Sequence, residues 1–177
     1  MYPGKYAATH PDRAAFVMAS TGESVSYAEF EARANKLTHL LQNEGLGRQD
    51  HYSIMMENNN RYLEACAAGE RAGLYYTCIN SFLTADELAY ILDNSESQIL
   101  ITSMSKLEVA IDAVAQSSKV RKVLVVDAGA NELPDGFEDY ASACQSFPAT
   151  PIDNERLGTS MLYSSGTTGR PKGIIRP

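Results

Sequence analysis

A chain of 177 residues has room for one ordinary domain with a real core, and its 44% hydrophobic content is that of a globular protein rather than a disordered one. A net charge of −7 argues against general nucleic-acid binding, which needs clustered Lys and Arg, but not against a nucleotide held at one cationic loop. Three cysteines without a C-x-x-C pair or a paired His argue against a disulfide framework or zinc site. No apolar run approaches membrane-spanning length and the N-terminus carries no apolar secretory region, so the expectation is a cytoplasmic protein with small, buried, reduced cysteines.

Taken in order, residues 14–20 read as a first strand, Thr21-Gly22-Glu23 as a turn, and Ser24-Val25-Ser26 as a short return. Ser26 with Glu29 forms a capping box opening a helix to about Glu44, with Phe30, Ala34, Leu37, Leu40 and Leu41 on one face and Gly45 as its stop. A strand follows over residues 52–56. Asn58-Asn59-Asn60 offers caps for a helix from about Arg61 to Arg71, closed by Gly73. The apolar run 74–79 reads as a buried parallel strand, in which Tyr75 and Tyr76 are packing residues rather than an adenine platform.

Thr84 with Glu87 gives a second capping box, and Leu88, Ile91 and Leu92 stripe the helix behind it. Residues 98–102 predict the next strand, Leu107, Ala110, Ile111 and Val114 a helix, and 123–126 another strand. A polar turn over 129–136, a short helix over 137–144 and a Pro-containing loop over 146–155 lead to an apolar strand, residues 160–163. This alternation predicts an α/β fold: a mostly parallel, doubly wound sheet with helices on both faces.

That last strand delivers the backbone into Ser164-Ser165-Gly166-Thr167-Thr168-Gly169-Arg170-Pro171-Lys172-Gly173. Glycines permit close backbone approach to a ligand, exposed N–H groups and the hydroxyls of Ser164, Ser165, Thr167 and Thr168 can surround phosphate oxygens, and Lys172 adds a mobile charge suited to a polyphosphate. The segment is not a Walker A loop, which needs Gly-Lys-Ser/Thr at a helix start, nor the dinucleotide pattern G-x-G-x-x-G. Arg170 reads as solvent-facing. His10, His39 and His51 give no positional hint of a base that would make one of the serines a nucleophile.

The stretch from Ser164 to Gly173 resembles, without a mismatch, the AMP-binding signature of adenylate-forming enzymes. The likeness extends along the chain through His10-Pro11-Asp12-Arg13, Ser26-Tyr27-Ala28-Glu29-Phe30, Gly45-Leu46-Gly47 to Asp50 (with Gln49 where Gly is usual), Glu57-Asn58, Arg71-Ala72-Gly73, Ile79-Asn80 and Glu87-Leu88. As a set these are similar to the acyl-CoA synthetase branch, in particular its fatty-acid–CoA ligases. Arg176-Pro177 departs from the His-containing continuation common elsewhere in the superfamily.

The resemblance implies the N-terminal part of the acyl-CoA synthetase large domain. It implies ATP, Mg²⁺ and CoA as partners of the reaction, and a carboxylic, specifically fatty, acid as substrate. It carries Ser164, Ser165, Gly166, Thr167, Thr168, Gly169 and Lys172 over as ATP-binding residues, with Thr168 a candidate Mg²⁺ contact and no catalytic residue. The later motifs and small C-terminal domain of such enzymes cannot be mapped onto this chain. The expectation is therefore a piece of a longer ligase, cut just after the signature and inactive in adenylation alone. An adenylation domain serving a carrier protein, or a non-catalytic nucleotide-binding module, are the alternative readings.

Overall fold

In the computed structural model, which describes residues 3–164 and 171–175, capping boxes readable in the sequence set where two of the helices begin. A short helix α1 (Gly4–Thr9) precedes a two-stranded antiparallel sheet of β1 (Ala14–Val17) and β2 (Ser24–Ser26). Helix α2 (Tyr27–Asn43) starts at the predicted capping box: Ser26 Oγ accepts from the Glu29 N–H at 3.2 Å, and Glu29 Oε2 accepts from the Ser26 N–H at 2.9 Å. Gly45, at φ 85°, ends that helix in the left-handed conformation that glycine adopts without a Cβ penalty.

Strand β3 (His51–Met55), helix α3 (Tyr62–Ala72) and strand β4 (Tyr75–Cys78) follow, then α4 (Ala85–Asn94), which opens at the second capping box, Thr84 with Glu87. The asparagine run acts differently from the expectation. Arg61 occupies the N-cap of α3 with no side-chain cap, and Asn59 Oδ1 instead accepts from the Arg61 N–H at 2.9 Å, shaping the turn before the helix. After β5 (Ser97–Ser103) a 3₁₀ turn leads into α5 (Leu107–Val114), then β6 (Lys122–Val126).

The chain completes with β7 (Phe137–Asp139), α6 (Tyr140–Gln145), β8 (Thr159–Ser160), β9 (Leu162–Ser164) and β10 (Lys172–Ile174). Six strands form one sheet in the order β7-β6-β5-β3-β4-β8, and each neighbouring pair is parallel. Its two faces bury separate clusters. Tyr52, Ile54, Ile99 and Ile101 pack with Leu37, Leu41, Ala65 and Ala68 of α2 and α3, whereas Met55, Leu100, Val123 and Val125 pack with Leu88, Leu92 and Ala110 of α4 and α5. Adjacent residues of one strand thus point to opposite helical layers, as the predicted doubly wound α/β architecture requires.

Two expectations need correction. Residues 137–144 are not one helix: Phe137–Asp139 pairs with β6 at the sheet edge, and α6 begins only at Tyr140. Asp139 serves both roles, because its backbone is a strand residue while its carboxylate caps α6 by accepting from the Ser142 N–H at 2.8 Å. The strand expected over 160–163 is also two. Thr159 and Ser160 lie beside β4, the Met161 N–H donates to the Tyr76 carbonyl at 2.9 Å, and Leu162–Ser164 then leaves the sheet to pair antiparallel with β10.

The approach of β8 to the sheet is held by close backbone contact and a buried cation. Any side chain at Gly158 would collide with the carbonyl oxygens of Gly69 and Leu74. The fully buried Arg71 of α3 pairs with Glu31 of α2 at 2.6 Å and with Glu155, just before β8, at 3.6 Å.

Candidate functional site

Antiparallel pairing of β9 with β10 sets Ser164 opposite Lys172, Tyr163 opposite Gly173 and Leu162 opposite Ile174. The two ends of the hydroxyl- and glycine-rich segment are therefore brought side by side. Of the residues expected to bind phosphate, Ser164 and Lys172 are both exposed at this position; Ser165, Gly166, Thr167, Thr168 and Gly169 lie outside the described residues, as do Arg170 and Arg176. Lys172 forms no ion pair with any described residue, which leaves its ammonium available to an anionic ligand.

Helix α4 anchors both ends of the segment. Before it, the Tyr163 hydroxyl donates to Asn94 Oδ1 at 2.7 Å; after it, the Tyr90 hydroxyl donates to the Pro171 carbonyl at 3.1 Å. Burial, with Tyr90 nearby, pushes the Tyr163 phenol up to about 12, so it remains a neutral donor at physiological pH. Gly173 belongs to the same packing: a side chain there would run into the Met161 methyl group and the Tyr163 ring. Sequence reading missed Tyr90 and Asn94. Their only sequence signal is an i, i+4 pair of polar-tipped residues beside the apolar stripe of α4.

A cavity of about 270 Å³ opens beside the hairpin, lined by Thr77, Cys78, Ile79, Asn80, Ser164 and Pro171 among others. It lies at the carboxyl end of β4, the end of a parallel sheet at which doubly wound folds bind ligands. A somewhat larger cavity of about 350 Å³, lined by Arg33, Lys36, Arg61 and Glu64, sits elsewhere between α2, α3 and α6, and the hairpin does not border it. At the carboxyl ends of β3 and β5, where successive crossovers diverge, Glu57 Oε2 accepts from the Ser103 and Ser105 hydroxyls, each at 2.5 Å. Burial would raise this carboxyl, but the two hydroxyls outweigh it and hold it below its ordinary range.

The remaining candidates take structural places. His10 meets Thr9, the His39 ring contacts the Thr150 carbonyl at 2.9 Å, and His51 stacks on Tyr75 with centroids 4.8 Å apart. Tyr76 is buried, with its hydroxyl on Glu70. Tyr75 and Tyr76 are thus engaged in packing, as expected. All three cysteines are free thiols, but only Cys144 is buried: Cys66 is half-buried and Cys78 exposed, contrary to the expectation of uniformly buried thiols.

Comparison with known proteins identifies the family and the fold. The family model described as AMP-binding enzyme matches residues 5–177. The chain is 31% identical to a 3-oxocholest-4-en-26-oate–CoA ligase of Rhodococcus rhodochrous, over 93% of this chain and 30% of that protein. It is 32% identical to a long-chain-fatty-acid–CoA ligase of Thermus thermophilus, over 88% of this chain and 28% of that protein. The chain therefore spans about 30% of the length of the curated relatives it matches. Among solved structures, an anthranilate–CoA ligase in complex with anthranoyl-AMP superposes with a TM-score of 0.85 at 19% identity, covering 98% of this chain and 33% of that one. A Rhodopseudomonas palustris protein superposes with a TM-score of 0.81 at 21% identity, covering 97% and 42%. At these identities the two superpositions establish the fold.

Proposed function

The chain belongs to the AMP-binding enzyme family, and from that premise we propose that it supplies the triphosphate-binding part of an acyl-CoA ligase acting on a carboxylic, specifically fatty, acid. The reaction in this reading has two halves. The substrate carboxylate attacks the α-phosphorus of ATP and pyrophosphate leaves, giving an acyl-adenylate; the thiol of CoA then displaces AMP and carries the acyl group away.

One observation carries the reading: Ser164 and Lys172, whose ammonium has no ion-pair partner among the described residues, are register partners at the base of the hairpin, and Ser164 borders a cavity at the carboxyl end of β4. Charge builds on the β- and γ-phosphates as pyrophosphate departs. A positioned ammonium, with the hydroxyls and N–H groups of Ser164, Ser165, Gly166, Thr167, Thr168 and Gly169, would stabilise it in advance of the step. Tyr90 and Asn94 hold the backbone at Pro171 and the Tyr163 side chain, at the two strands that carry Lys172 and Ser164. Among the described residues no cluster of His, Cys, Asp and Glu forms a metal cage. In this reading Mg²⁺ arrives on the triphosphate, which suits an ion that keeps several waters and binds through substrate phosphates, and Thr168 is the candidate protein contact.

The described residues include no group we assign to the adenine, the ribose or the acyl chain. Adenylation is accordingly expected of the protein containing the rest of the family domain, and not of these 177 residues alone. The test is ATP–pyrophosphate exchange, followed by thioester formation on adding CoA, with a panel of fatty acids and both forms of the protein. Exchange by the 177-residue chain alone would overturn the division of labour. A longer form that exchanges pyrophosphate but makes no acyl-CoA would redirect the acceptor assignment to a carrier protein.

A further inference from the structure

Cys66 and Cys78, twelve positions apart, converge on one point of the surface. Cys66 lies in the second turn of α3, and Cys78 is the last residue of β4, the strand that α3 feeds through the Gly73 turn. Their Sγ atoms are 3.8 Å apart. A disulfide needs about 2.05 Å, so closure asks for a side-chain adjustment on the order of 2 Å. We propose that Cys66 and Cys78 form a redox-active dithiol that closes reversibly to an intramolecular disulfide through exchange with a low-molecular-weight disulfide.

The two thiols are not equivalent, and the asymmetry suits exchange. Cys78 is exposed and is the sulfur that a disulfide in solution reaches first; Cys66 is half-buried behind it. Hydrogen bonding from Cys66, helped by the Tyr62 hydroxyl and opposed by burial, holds the Cys78 thiol down to about 7. The same contact, together with burial, holds Cys66 as a thiol. An accessible thiolate beside a protonated neighbour is the arrangement of an attacking and a resolving cysteine.

The exchange balances without any further reactant. The Cys78 thiolate attacks one sulfur of the small disulfide RS–SR, forming a protein–SR mixed disulfide and releasing RS⁻, which takes a proton from solvent. Cys66 then loses its proton and attacks Cys78 Sγ, forming the Cys66–Cys78 bond and releasing the second RS⁻. Two protein thiols are oxidised and one small disulfide is reduced to two thiols. Cys78 lines the cavity beside Ser164 and Pro171 and Cys66 does not, so closure draws the Cys78 sulfur toward α3 and changes that wall. The dithiol assignment is independent of what the cavity binds.

The test treats the folded chain with oxidised glutathione, quenches it with acid, and reads intact mass, free thiols and a peptide map. The expected product has lost two hydrogens, carries a Cys66–Cys78 cross-link, retains Cys144 as the single free thiol of three, and returns to the starting mass with dithiothreitol. Cys66→Ser should accumulate a glutathione adduct on Cys78, and Cys144→Ser should close as the parent does. Wild-type protein that holds stable separate adducts without the cross-link would overturn the proposal. So would a cross-link involving Cys144, or three persistent thiols under conditions that oxidise the urea-unfolded chain. Differential alkylation of the unmutated protein, with Cys78 labelled first, checks the order of reactivity without relying on a variant that folds.

Discussion

Ser164 and Lys172 are register partners across the β9–β10 pair, so the backbone leaves and re-enters the hairpin base at one place. A point charge at that base can reach only the part of a nucleotide that lies against it. Lys172→Ala is therefore expected to weaken ATP and pyrophosphate by roughly tenfold, the loss of one charge-assisted hydrogen bond at about 1.5 kcal/mol, and to leave AMP within twofold. Equilibrium dialysis of the three ligands measures it. An equal loss for AMP and ATP would mean that Lys172 acts on folding or on the α-phosphate, and the proposed role would fail.

The anchoring of the segment by α4 can be separated from the charge it presents. Tyr90→Phe keeps the ring but removes the hydroxyl on the Pro171 carbonyl, and Asn94→Ala removes the acceptor of the Tyr163 hydroxyl. Each loses one ordinary hydrogen bond, about 1 kcal/mol. If the anchors position Lys172, the two variants lower ATP affinity several-fold while the melting temperature of the chain moves by only a few degrees. Unchanged affinity in both would show that the hairpin holds its place without α4.

What was legible in the sequence was local. Two capping boxes fixed the starts of α2 and α4 because cap and N3 residue lie within one turn, and Gly45 and Gly73 marked helix ends through the left-handed backbone that follows each. The buried strands were readable as apolar runs, and their alternation with helices gave the sheet. What was not legible depended on partners far along the chain. Phe137–Asp139 is a strand because β6 offers a free edge, not because three residues of mixed polarity declare one. The departure of Leu162–Ser164 from the sheet depends on pairing with Lys172–Ile174. The signature itself could be read residue by residue, but Tyr90 and Asn94 could not, since a contact between residues 90 and 171 leaves no periodicity in either segment.

Arg71 gives a stability prediction. It is fully buried, pairs with Glu31 and Glu155, and so joins α2, α3 and the segment that delivers β8 to the sheet. Removing one member of a buried ionic group costs more than the group contributes net, because the remaining charges lose compensation. Arg71→Met is expected to destabilise the chain by about 3 kcal/mol in urea unfolding. The Arg71→Met, Glu31→Gln double variant should recover part of that loss, since it deletes an uncompensated carboxylate as well. A double variant that is less stable than the single would contradict this account of Arg71.

The cluster joining the end of α2 to β6 predicts how stability depends on pH. Lys122 Nζ lies 2.6 Å from Glu44 and 3.0 Å from Glu138, and Arg121 lies 3.1 Å from Glu44. Burial would raise Glu44, but Lys122 and Arg121 outweigh it and hold the carboxyl below its ordinary 4.5. Its contribution is therefore complete above 4.5 and is lost as pH falls through the lower folded-state value. For Lys122 burial acts downward, and Glu44 and Glu138 outweigh it to hold the ammonium above its ordinary 10.5. That contribution is complete below 10.5 and is lost as pH rises through the folded-state value. Glu44→Gln should cost up to about 1 kcal/mol at neutral pH, the range of a partly exposed ion pair, with the difference from the parent closing below 4.5. Lys122→Met should show the same closing of the gap in acid, and a second closing above 10.5. Urea midpoints across the acid limb measure the first effect. A Glu44→Gln curve that stays parallel to the parent through that limb would mean Glu44 makes no proton-linked contribution to the fold.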